Sequence, residues 1–131
     1  MTNERKLPAS AHPSRNVLGE PLKPCSFDPQ TGWFRNGCCD TDDSDVGSHT
    51  VCVRVTAAFL SYSASVGNDL STSRGGFVGL QPGDQWCLCA PRWAEAFAAN
   101  AAPHVVLAST HEGALEHCSL DDLMRFALDV S

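Results

Sequence analysis

The stretch QWCLCAPRWAEAFAANAAPHVVLAS, residues 85–109, holds two short apolar runs separated by a proline and an amphipathic segment. Gln85 to Ala90 reads as a strand. Pro91 suits a first helical turn, where its missing N–H costs nothing, and Trp93, Ala94, Phe97 and Ala101 trace one face of the helix that follows. His104 to Ser109 reads as another strand. The 13 residues between Ala90 and His104 satisfy the minimum for a crossover joining parallel strands, which would be right-handed. A sheet that is at least partly parallel is therefore expected.

Upstream, HTVCVRV (49–55) alternates Val51, Val53 and Val55 with Thr50, Cys52 and Arg54, the period of a strand. Thr56 is a fitting N-cap for a helix from Ala57 to Val66 with Phe59, Tyr62, Ser63 and Val66 on one face, and Gly67 is its stop. The Gly/Ser-rich connection from Gly67 to Asp84 is longer than ordinary loops, which marks it as functional or mobile. Downstream, Ser119 and Asp122 form a capping box before a helix that aligns Leu120, Leu123, Met124 and Ala127. Earlier still, PLKPCSFDPQTGWFRNGCC (21–39) is dense in turn formers and reads as a loop-rich hairpin. The expected architecture is one compact α/β or α+β domain over residues 16–131. It has a short mixed, partly parallel sheet, an irregular N-terminal third and three to four helices, preceded by a flexible arm over residues 1–15.

At 131 residues the chain is long enough for one core covering roughly two thirds of its unfolded surface. A hydrophobic fraction of 43% with 18% charged residues is that of a globular chain, and no apolar run approaches the ~20 residues of a membrane span. A net charge of −6 without a basic stripe argues against nucleic acid as a partner. The opening MTNERKLPASAHPSRN lacks the apolar core of an export signal, so a cytoplasmic setting is expected. Seven cysteines leave at least one thiol unpaired within the chain, and reduced thiols are the default in that compartment. No specific partner or oligomeric state is legible.

Residues two apart in a strand share a face, so Cys87 and Cys89 point away from Trp86, Leu88 and Ala90, and Cys52 points away from its flanking valines. On neighbouring strands these three sulfurs would cluster. Soft thiolates suit a transition metal such as zinc, and Cys38, Cys39 or His49 could supply the fourth tetrahedral donor. A cysteine-dependent enzyme or thiol redox protein is the alternative, with Cys38 or Cys39 as nucleophile and His49 as its base. The acidic run DTDDSD (40–45) disfavours a thiolate beside it. A third possibility is a partner-binding module whose cysteines only pack. The acidic loop is not an EF-hand, because Asp45 replaces the required glycine and Val51 the terminal glutamate.

CSFDPQTGWFRNGCC, GSHTVCVRVT, FLSYSASVGNDLST, GLQPGDQWCLCAPRW and APHVVLASTHEGALE, taken in this order, resemble the bacterial family called domain of unknown function 2237. The resemblance covers residues 16 to 128 and implies a compact domain. It implies no activity, cofactor or catalytic residue.

Overall fold

The valine alternation after His49 and the two short apolar runs on either side of the Pro91 segment build the sheet of this protein, seen in a computed structural model that describes residues 14–75, 77 and 79–129. In chain order the elements are β1 (Val51–Arg54), α1 (Ala57–Ser65), β2 (Gln85–Leu88), α2 (Ala90–Ala98), β3 (His104–Val105) and α3 (Leu120–Arg125). Short 3-10 turns occupy Leu107–Ser109 and Glu112–Glu116. Thr56 caps α1 by accepting the Phe59 N–H, and Ser119 caps α3 by accepting the Asp122 N–H at 3.1 Å. Both caps are the ones expected. The arm expected over residues 1–15 lies outside the described residues apart from its last two. Of these, Ser14 donates to Asp40 at 2.6 Å and Arg15 pairs with Pro21.

The fold is α+β, and its sheet corrects the parallel expectation. The strand order is β2-β1-β3, and both outer strands run antiparallel to β1. β2 and β3 therefore do share a direction, as a β-α-β unit would have them, but β1 lies between them and takes every ladder bond. Hydrophobic period alone cannot distinguish these arrangements, because an inserted antiparallel strand leaves the crossover unit's own pattern unchanged. The third strand also stops after Val105, earlier than expected. Asp129 accepts the N–H groups of Leu107 and Ala108 at 2.8 and 3.0 Å, and Thr110 Oγ1 donates back to the Val106 carbonyl, so the chain turns instead of extending the ladder.

Register fixes the two faces of the sheet. Val51 faces Leu88 and Val53 faces Trp86 across β1 and β2, and this side packs on Phe59, Leu60, Trp93 and Leu123 as the main core. Each such side chain removed from water stabilises the fold by about 1.5–3 kcal/mol. Trp93 satisfies its indole N–H on the Pro103 carbonyl at 3.2 Å while its ring stacks on Phe97. The opposite side carries Cys52 opposite Cys87, and the irregular N-terminal third covers it. Thr31 Oγ1 accepts the Cys87 N–H at 2.8 Å, and Gln85 Nε2 donates to the Cys25 carbonyl at 2.6 Å. These bonds give a coil without regular structure a fixed seat on a sheet. The connection after α1 is also anchored: Leu80 is buried in the core and its N–H donates to the Leu70 carbonyl at 2.7 Å.

Candidate functional site

Four cysteines are consumed where the N-terminal third meets the sheet. Cys25 is bonded to Cys52 and Cys39 to Cys87, with Cα atoms 5.7 and 5.2 Å apart. The reduced state expected of a cytoplasmic setting is thus replaced by two cystines. All four cysteines are at most 6% exposed. Sulfurs of Cys25, Cys39 and Cys52 lie within 4.8 Å of one another, so the two cystines form one sulfur cluster. Cys52 and Cys87 adjoin across the strands, as the period of two implies. Cys25, which joins them, had no signal in the sequence beyond being a cysteine in a turn-rich segment.

Cys89 parts from this cluster. β2 ends at Leu88, and Cys89 becomes the N-cap of α2, its side chain half-buried and not spent on capping the helix. The Ala90 N–H donates to the Ser48 carbonyl at 2.8 Å, which pins the loop before β1 against the start of α2. His49 is thereby placed beside Cys89. Gly47 permits the approach: a Cβ there would stand 3.1 Å from His49 Cε1 and 3.2 Å from Cys89 Sγ.

The imidazole is held on its other side by Asp45. His49 Nδ1 and Asp45 Oδ1 are 2.6 Å apart, while Asp45 Oδ2 accepts the His49 N–H at 2.8 Å and the Thr41 hydroxyl at 3.0 Å. The Asp45 side chain is fully shielded from solvent. Trp33 stacks on the imidazole at 5.5 Å and donates its indole N–H to Ser44 at 3.0 Å. The ring's orientation is therefore fixed from its edge and from one face.

Electrostatics follow from this packing. Interaction with the Cys89 sulfur pushes the His49 pKa up to about 9; burial opposes the rise, and the hydrogen bond and charge of Asp45 support it. Burial alone would push the Asp45 carboxyl up, but the bonds from His49 and Thr41 outweigh it and hold the group below its ordinary value. A thiol, an imidazole and a buried carboxylate in series is the arrangement that moves a proton off a nucleophile.

Residues 15–127 match the model of a family described as an uncharacterized protein conserved in bacteria, DUF2237. The chain belongs to this family. No curated protein matches it. The description assigns this family no reaction, so the chemistry must come from the site itself. Of the residues singled out in the sequence, Cys39, Cys52 and Cys87 enter the cystines, whereas Cys89 and His49 meet each other. Cys38 stays a free, half-buried thiol whose pKa is raised by burial and then by Asp40. Asp45 went unrecognised because it stands in an acidic run that reads as a solvated loop. The one clue was its position four residues before His49. Among the described residues no helix is long and apolar enough to cross a membrane.

Proposed function

We propose that this protein is a cysteine-dependent enzyme in which Cys89 is the nucleophile, His49 the group that holds its proton and hands it on to the leaving group, and Asp45 the group that orients and charges the imidazole. The observation that carries this reading is the placement of Cys89 and His49 side by side against Gly47, with Asp45 bound to the far side of the imidazole, at the N-terminus of α2. In the first step the proton of the Cys89–His49 pair rests on the imidazole as the sulfur bonds to an electrophilic carbonyl carbon. The same proton then passes to the leaving group as its bond to carbon breaks. Water releases the acyl group from sulfur and restores the thiol. Acyl transfer or hydrolysis is thus the reaction class.

Modification of the native, unreduced protein by iodoacetamide, with peptide mapping, tests this. Cys89 should be alkylated well ahead of Cys38 and Cys118, and a p-nitrophenyl ester should be hydrolysed by the wild type and not by Cys89→Ser. Equal reactivity of the three free thiols would remove the basis for a nucleophile.

A second reading is favoured by the sulfur cluster, which in reduced form offers Cys25, Cys39, Cys52 and Cys87 to a transition metal such as zinc. The sulfurs of Cys25, Cys39 and Cys52 already lie within 4.8 Å of one another, and on reduction each bonded pair would have to open to the roughly 3.8 Å separation of a tetrahedral site with Zn–S near 2.3 Å. This donor set keeps Cys39, Cys52 and Cys87 from the sequence-based set and replaces Cys38, Cys89 and His49 with Cys25. Zinc binding requires that a dithiol first reduce both cystines. In the cytoplasmic setting favoured by the sequence, their burial would have to shield them from that exchange or permit it in a controlled way. Zinc titration of fully reduced protein, followed by native mass spectrometry, checks it: one equivalent supports the metal site, and none removes it.

A further inference from the structure

We propose that the cleft opening on His49 recognises a carboxylate-bearing substrate with a flat apolar group, and that Arg35 is the residue that binds the carboxylate. This rests on the nucleophile reading above and names the substrate class for that site. Two adjoining hollows carry the inference. A small one of about 160 Å³ is lined by Trp33, Arg35, His49 and Trp86, so it opens on the imidazole that serves Cys89. A wider one of about 600 Å³ is lined by Phe27, Gln30, Arg35, Phe77 and Trp86. Arg35 and Trp86 belong to both, which puts Arg35 between the His49 imidazole and an aromatic-walled cleft.

Arg35 is positioned for this task by its surroundings. Its backbone adopts a left-handed φ of 55°, and a turn fixes it: its N–H donates to the Gly32 carbonyl at 3.0 Å, and its own carbonyl accepts from Gln30 Nε2 at 2.8 Å. The guanidinium lies over Trp86 at 5.1 Å from the ring centroid and gives one N–H to the Gly32 carbonyl at 3.3 Å. Among the described residues no carboxylate forms an ion pair with it, although Asp28 borders the wider hollow. Its remaining donors form the planar fork that accepts a carboxylate through two parallel hydrogen bonds. In a chain of net charge −6, the overall field does not attract anions, so a local cation must. The aromatic walls formed by Phe27, Phe77 and Trp86 complement a flat apolar group attached to that carboxylate.

Alkylation supplies probes of known charge. Iodoacetate and iodoacetamide each form a carbon–sulfur bond with Cys89 and expel iodide, with the thiol proton leaving through His49; they differ only in the carboxylate. The iodoacetate-to-iodoacetamide rate ratio at Cys89 should fall about tenfold in Arg35→Gln and recover in part in Arg35→Lys. The His49 charge acts alike in all three proteins, so the change in ratio isolates Arg35. In the wild type, phenylacetate should also protect Cys89 saturably from iodoacetamide, and phenylacetamide should not. A ratio unchanged by Arg35→Gln, or equal protection by acid and amide, overturns the carboxylate site while leaving a selectively reactive Cys89 intact. If neither reagent singles out Cys89 in the wild type, the nucleophile reading falls and this inference with it.

Discussion

Cys87 and Cys89 stand two residues apart in the chain and on the same face of the strand that the sequence implies, yet they meet opposite environments. Cys87 is 1% exposed, bonded to Cys39 and roofed by the N-terminal third. Cys89 lies one residue past the end of β2, half-buried, with an imidazole beside it. The first residue staples the fold and the second is left for chemistry. What separates them is the strand's end at Leu88: the chain turns into α2, and the alternation that would have sent both sulfurs into one cluster no longer applies.

Removing the staples should have the largest effect. The Cys39–Cys87 bond closes a sequence separation of 48 residues and Cys25–Cys52 one of 27, and the two loops interlace. Chain-entropy reasoning assigns each cystine roughly 3–4 kcal/mol, with the longer loop worth about 0.5 kcal/mol more. Paired alanine substitutions at Cys39 and Cys87 should therefore lower the urea-unfolding free energy by about 4 kcal/mol, and those at Cys25 and Cys52 by slightly less. A loss under 1 kcal/mol in either would show that packing alone holds the N-terminal third on the sheet.

The other member of the comparison is broken at His49. His49→Ala should slow alkylation of Cys89 by about 100-fold at neutral pH, and Asp45→Asn should give a smaller loss in the same direction. Stopped-flow or quenched alkylation followed by mass spectrometry measures both. An unchanged rate in His49→Ala would mean that the imidazole is only a neighbour.

Legibility followed the range of the forces involved. β1, α1 with its Thr56 cap and α3 with its Ser119 cap were readable because period and capping are set by residues within a few positions of each other. The sheet's direction was not, since the insertion of β1 between β2 and β3 leaves no local trace in either run. The same holds for the site. Cys89 and His49 were both visible as candidates, but were joined only as donors to one metal, because their direct pairing depends on the Val51–Leu88 register and the Ala90–Ser48 hydrogen bond. Asp45 was hidden more deeply. Within DTDDSD it is chemically like its neighbours, and it alone among them becomes buried because Thr41 and His49 supply the donors its carboxylate needs.

pH offers a gentler way to sharpen the contrast, since the cystines do not titrate while the His49–Asp45 pair does. His49 rises from 6.5 to about 9 on folding, so its contribution to stability is full below 6.5 and is lost as pH climbs through about 9. Asp45 falls below its ordinary 3.8, so its contribution is present above that value and disappears as pH drops through the lower, folded one. Denaturation of the wild type should show a stability plateau between the ordinary values of the two groups, 3.8 and 6.5, with a decline on either side. In Asp45→Asn the alkaline limb should move to lower pH. An alkaline limb unaffected by that change would detach Asp45 from the imidazole's charge.

The smallest effect is expected at Cys118, the free thiol that belongs to neither region. It is buried in the main core, its Sγ donates to the Ala90 carbonyl at 3.4 Å, and burial, assisted by the charge of Asp122, pushes its pKa up to about 11. Near neutral pH it is therefore almost wholly a thiol, and the thiolate is the reactive species. Iodoacetamide should leave it unmodified while Cys89 reacts. Cys118→Ser should change stability by only about 1 kcal/mol, because a hydroxyl can still donate to Ala90. Ala90 follows Cys89 at the start of α2, so the same variant checks whether a small shift in that turn reaches the nucleophile. The Cys89 alkylation rate should stay within about twofold of wild type, an energy difference below 0.5 kcal/mol. A larger drop would mean that the first turn of α2 is held in place from the core side as well as through Ser48.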